Sequence, residues 1–139
     1  MRAVLIASLS LMVALGSPAH AADDPGDEKF LEPEVAVILA LQAAIRTDDK
    51  DWFVANLHFP VRYFGETTQT IRSKEWFLRH YDTIIGPKLK ANMLAQDPEH
   101  YFKNYQGLMV GNGGRNIWFA DFGDGNGVKY EIITINNSD

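Results

Sequence analysis

The sequence predicts an α+β fold, on three observations. Apolar residues recur with helical spacing through roughly the first two thirds of the chain. Strand-like runs separated by Gly and Asn clusters fill the last third. Strands do not alternate with helices, which a doubly wound sheet would require, so the expectation is N-terminal helices packed on one face of a curved, mostly antiparallel sheet.

Taken in order, Pro33 to Ile45 reads as a helix with Val35, Ile38, Leu39 and Ile45 on a broad apolar face, and Pro33 suits its first turn. Thr47, Asp48 and Asp49 offer caps for a shorter helix reaching about Leu57, anchored by Trp52 and Phe53. His58-Phe59-Pro60 stops it, because a residue before Pro disfavours the helical region. Val61 to Phe64 is a short strand, and Gly65 to Thr70 a turn leading to a second strand at Gln69 to Ile71. Ser73 caps a helix expected to run unbroken to Ile85, with Trp76, Phe77, His80, Tyr81 and Ile84 in one buried stripe. Gly86-Pro87 ends that helix, and Pro87 opens another, Lys88 to Gln96, with Leu89, Met93 and Leu94 inward. Asp97-Pro98 breaks it, and a helical turn is expected at Glu99 to Phe102. Strands follow at Tyr105 to Val110 and Ile117 to Asp121, joined by Gly111-Asn112-Gly113-Gly114, which supplies the positive φ angles of a hairpin. A second cluster, Gly123 to Gly127, leads to a last strand from Val128 to Ile135.

The first 21 residues read as an export signal that is cleaved: Arg2 is a short positive region, Ala3 to Gly16 is almost wholly apolar, and Ala19-His20-Ala21 is a small-x-small site. The apolar run is shorter than the roughly 20 residues that span a bilayer, so no membrane insertion is expected after cleavage. Residues 22–29 read as an acidic, disordered leader and 30–137 as one domain. The chain has no Cys, so neither a lipoprotein thiol nor a disulfide framework is available, and the expected location is the periplasm, with secretion as the alternative. A formal charge of −5, one unit more negative without Arg2, argues against nucleic acid, which rewards clustered Lys and Arg.

The segment Tyr105-Gln106-Gly107-Leu108-Met109-Val110-Gly111-Asn112-Gly113, then Ile117-Trp118-Phe119, resembles a signature of small exported bacterial proteins of the nuclear transport factor 2-like (NTF2-like) fold. Phe77-Leu78-Arg79-His80-Tyr81-Asp82 is similar to their central helix. The resemblance, over roughly 30–137, implies the cone-shaped α+β domain shared with ketosteroid isomerases and SnoaL-like proteins, and a homodimer through the sheet. The enzymes of that fold place an acid-base carboxylate and hydrogen-bonding Tyr or protonated Asp inside the cone. No such arrangement matches here position by position.

The candidate chemistry is correspondingly sparse. His80, Tyr81 and Asp82 invite an acid-base reading. On a continuous helix, however, His80 and Asp82 lie about 200° apart and cannot share a face, so the economical reading has His80 and Tyr81 in the core edge. His58, His80 and His100 lack the spacing of a zinc site, and Asp121, Asp124 and Asn126 lack the downstream Glu of a calcium loop, so no metal and no cofactor is expected. Gly111 to Arg115 lies between strands, where a phosphate cradle would precede a helix. No Ser sits in a nucleophile elbow.

A mixed set remains as the expected lining of a ligand pocket between helices and sheet: Arg62 and Tyr63, of which alternation puts one inside, His80, Tyr81, and Trp118 with Tyr130 as its neighbour. With no catalytic residue assigned, the expectation is an exported binding domain for a small apolar or amphipathic ligand, or for an envelope protein in the manner of an immunity or inhibitor protein. The alternative is a small SnoaL-like isomerase or hydrolase with an acid-base residue in the cone. Mass spectrometry of the protein recovered from the cell envelope is expected to find an N-terminus at Ala22; recovery of the full-length chain from the cytoplasm contradicts export.

Overall fold

In the computed structural model the described residues are 31–139; the segments read as signal peptide and leader lie outside them. The first helix, α1, spans Pro33–Thr47, with Pro33 at its start and Asp48 closing it in the left-handed region at φ 47°. Its buried line runs Ile38, Leu41, Ala44 and Ile45. Leu39, expected inside, sits one step round the cylinder on the flank and is exposed. Gln42 is buried and donates through Nε2 to the carbonyls of Met93 at 3.0 Å and Gln96 at 2.8 Å. One amide thereby satisfies two backbone acceptors where a second helix ends.

Helix α2, Lys50–Asn56, is capped by Asp49, whose carboxylate accepts from the Trp52 N–H at 3.0 Å. Strand β1, Leu57–Phe64, follows without a break and is longer than expected because it runs through Pro60. The register against its neighbour shifts between Leu57 and Arg62, and an irregularity of this kind admits a residue with no N–H to give the ladder. Strand β2, Thr68–Ile71, pairs antiparallel with β1.

The expected unbroken helix from Ser73 to Ile85 is two pieces, α3 at Lys74–Arg79 and α4 at Tyr81–Ile84. Ser73 caps α3 as expected, accepting from the Trp76 N–H. The break is at His80, at φ −112° and ψ 11°, where the ring Nδ1 joins the backbone N–H on the Trp76 carbonyl, at 2.7 and 3.2 Å. Phe77, Tyr81 and Ile84 are buried, whereas Trp76 is half-buried and stacked on His80. Helix α5, Pro87–Ala95, buries Leu89 and Met93 but leaves Leu94 exposed.

Strand β3, Phe102–Asn104, replaces the helical turn expected over Glu99 to Phe102. The turn ends at His100, whose N–H reaches the Asp97 carbonyl, and Phe102 is drawn into register with Met109. Strands β4, Gly107–Asn112, β5, Arg115–Asp121, and β6, Tyr130–Asn137, complete a six-stranded open sheet in the order β2-β1-β6-β5-β4-β3. All neighbours are antiparallel except β1 and β6. The fold is α+β, as expected, with a mostly antiparallel sheet.

Alternation sorts the sheet into two faces. Val61, Tyr63, Val110, Ile117, Phe119 and Ile135 are buried against the helices. Ile132 joins Ile135 on that face, three residues away, because the register shifts between Trp118 and Phe119 and leaves Ile133 as the extra residue. Since Phe77 is fully buried against Phe53 and Tyr81, Phe77→Ala is expected to cost about 3–5 kcal/mol in urea unfolding. Trp76→Ala is expected to cost less than half of that; equal losses contradict the split helix.

Candidate functional site

A cleft of about 650 Å³ opens between the β1–β2 hairpin, the α3–α4 break, the start of α5 and the residues that follow β6. Tyr63 enters it from the buried face of β1, and its hydroxyl donates to the Thr83 carbonyl at 3.4 Å. Gly65 at the hairpin is required by close approach, because a Cβ there would run into the Tyr63 ring. The opposite wall carries Trp76 and His80, stacked with centroids 3.9 Å apart and planes at 16°. A carbonyl only accepts, so the bond to Trp76 places a proton on Nδ1 of His80 and leaves Nε2 as the ring nitrogen free for another partner.

Five charged residues line the same cleft: Glu66, Asp82, Lys88, Arg115 and Asp139. Lys88 and Arg115 share one carboxylate, that of Asp139, with Lys88 Nζ at 3.6 Å and Arg115 Nη2 in direct contact. The Arg115 hydrogen bond, with the charges of Lys88 and Arg115, holds the Asp139 carboxyl below its ordinary range. Arg115 Nε is buried and has no hydrogen-bond partner among the described residues. Gly86 and Pro87 bring the N-terminus of α5 to the same end of the cleft, and no side chain caps that helix.

The residues expected to form a pocket do not converge. Tyr63 and His80 line the cleft. Tyr81 is buried beside Phe53 and Phe77, and its hydroxyl donates to Asp48 Oδ1 at 3.1 Å, with the ammonium groups of Lys50 and Lys90 at 5.1 and 5.6 Å from its ring. Burial and the neighbouring Asp48 push the ionisation of Tyr81 upward. Tyr130 is buried elsewhere and donates to Glu34 Oε1 at 2.7 Å. Arg62 and Trp118 lie on the other face of the sheet, which corrects the expected pairing of Trp118 with Tyr130. Arg62 sits between buried Val61 and Tyr63, and Trp118 between buried Ile117 and Phe119, so the two-residue period turns both outward. There Trp118 is opposite Met109 and Thr134 and meets Phe102 edge-on at 6.1 Å, beside a depression of about 310 Å³.

His80 and Asp82 are both among the residues of the cleft. The 100° step holds only along a continuous helix, and this one breaks at His80, which leaves Asp82 exposed on α4. The other histidines among the described residues lie in separate settings, His58 against Glu131 at 2.8 Å and Phe122, His100 against Asp97 at 2.8 Å. Asp121 Oδ1 is taken by the N–H groups of Gly123 at 2.8 Å and Lys129 at 2.9 Å, which staple the β5–β6 loop. Sequence reasoning missed Glu66, Lys88, Arg115 and Asp139; Arg115 follows a Gly-rich turn, and nothing local marks it as facing a cleft.

No family model matches the chain, and neither the curated proteins nor the solved structures yield a match.

Away from the cleft, Glu34 on α1 is nearly enclosed and is held by Lys103 of β3 and Tyr130 of β6. Burial works to raise its carboxyl, but the hydrogen bonds from Lys103 and Tyr130 outweigh it and leave it below the ordinary 4.5. A carboxyl lowered in the folded state adds stability above its unfolded value, lost as pH falls through the folded one. Urea stability is therefore expected to drop from neutral pH toward pH 3, and Glu34→Gln to flatten part of that slope; an unchanged slope contradicts the charged role of Glu34.

Proposed function

We propose that the chain is an exported NTF2-like binding domain that holds a small amphipathic ligand in the cleft beside Trp76 and His80. The observation that carries this reading is the cleft itself: about 650 Å³ lies within the range of small-molecule sites, roughly 300–1,000 Å³, and it combines an aromatic shelf with a few charged tips. The cone is supported by the order of elements, helices first, a short strand pair, helices again, then long terminal strands, with β6 returning beside β1. Export to the periplasm rests on the composition of the first 21 residues. The open face carrying Arg62, Trp118, Met109 and Phe102 is where an envelope protein or a second copy would dock.

One observation favours the catalytic alternative. His80 has its ring fixed by the Trp76 carbonyl, retains Nε2, and lines the same cleft as Asp82. In a SnoaL-like isomerase or hydrolase, Nε2 would take the proton and Asp82 would offset the resulting charge.

Thermal-shift and calorimetric titration with amphipathic acids, alcohols and amines separates these readings. Binding is expected to fall about tenfold or more in Trp76→Ala and to persist in Trp118→Ala. Loss in Trp118→Ala with retention in Trp76→Ala moves the function to the open face of the sheet. Turnover of any bound compound that disappears in folded His80→Gln establishes the enzyme.

A further inference from the structure

We propose that the ligand of this cleft is a small organic carboxylate whose carboxyl group displaces Asp139 from Arg115 and Lys88, its apolar body lying along the Trp76–His80 shelf. The inference rests on the binding reading above and specifies the ligand class. Three features favour an anion at this end of the cleft. The first is Arg115 itself: a guanidinium presents Nε–H and one Nη–H as a parallel fork that matches the two oxygens of a carboxylate. Asp139 engages only the Nη2 arm, and Nε is left buried and unpartnered. Buried polar groups without partners are rare in folded proteins, so an orphaned donor beside a half-filled fork marks a position for a second acceptor.

The second feature is Lys88, whose ammonium turns to the same Asp139 carboxylate at 3.6 Å, so two cations share one exposed anion. The third is the start of α5, a nine-residue helix with Pro87 in its first turn and no capping side chain. Gly86, Pro87 and Lys88 all line the cleft, and the positive end of the helix dipole adds to the field of the two cations. Asp139 is the group that now answers this field, held by side-chain contacts on an otherwise exposed residue. It occupies the site as a weak internal competitor. A ligand carboxylate that takes both arms of the fork gains a bond that Asp139 does not make.

The remaining charges set the ligand's shape. Glu66 and Asp82 also line the cleft and would repel a second anionic group, so the preferred ligand carries one carboxylate and is apolar beyond it. The Trp76–His80 stack and the buried edge of Tyr63 supply the surface for that part.

The test is calorimetric titration of the purified chain with octanoate and hydrocinnamate, each beside its neutral counterpart, octanamide and hydrocinnamide. At least one carboxylate is expected to bind about tenfold more tightly than its amide, a difference worth about 1.4 kcal/mol. Asp139→Asn is expected to tighten carboxylate binding several-fold, and by more than it changes amide binding, while Arg115→Gln abolishes the preference for the acid. Asp139 is exposed, so its variant folds whatever Arg115→Gln does. Equal binding of acid and amide, or an Asp139→Asn variant that binds the acid no better than the parent, overturns the carboxylate assignment. Amides that bind with Trp76 dependence while the acids do not leave the cleft as the ligand site and remove only this inference. Failure of all probes to bind overturns both readings.

Discussion

The imidazole of His80 shares the carbonyl of Trp76 with the residue's own backbone N–H, at the point where the helix breaks and the cleft begins. On an unbroken helix the stripe from Trp76 to Ile84 would face one way. The break at His80 gives each residue its own destination instead. Phe77 and Tyr81 stay buried with Phe53, each such burial being worth about 1.5–3 kcal/mol. Trp76 and His80 turn together toward the cleft, and Asp82 comes to line it from α4. A helix interrupted for one residue thus serves core and cleft at once.

Two polar arrangements hold the framework around it. Gln42 joins α1 to the end of α5, and Glu34 joins α1 to β3 and β6 through Lys103 and Tyr130. Both lie on α1 and both are nearly enclosed. Leaving such groups unpaired would cost about 1–3 kcal/mol each, so they fix where α1 sits more firmly than apolar contact alone could. At the sheet's other end Asn116 is likewise enclosed, donating to the Gly113 carbonyl at 2.7 Å and accepting from Asn136 at 2.6 Å.

Local chemistry was legible in the sequence wherever one residue decides it. Asp49 and Ser73 cap their helices, Pro33 and Pro87 open theirs, and the Gly111 to Gly114 cluster forms the hairpin turn. What could not be read depended on partners far along the chain. Strand β1 passes through Pro60 because of an irregularity opposite β6, and β3 exists because β4 pairs with it. The helix breaks at His80, where a side-chain bond to Trp76 accompanies the change of backbone angles, and periodicity encodes neither. Of the expected pocket residues, Tyr63 and His80 reached the cleft, while Arg62 and Trp118 were turned away by the parity of their strands. Arg115, Lys88 and Asp139 meet only once three separate elements are assembled.

The position of β6 carries a consequence for how the molecule forms. It lies between β1 and β5, which pair with it and not with each other, and its Asn137 donates to the carbonyls of Thr83 and Ile84 at the end of α4. Until residues 130–137 insert, the helices and β1 share no ladder with β5, and both strands present unpaired edges. Contacts so distant in sequence slow folding, because the loop between them must be closed first. The sheet is thereby completed only when residues 130–137 are in reach of both β1 and β5.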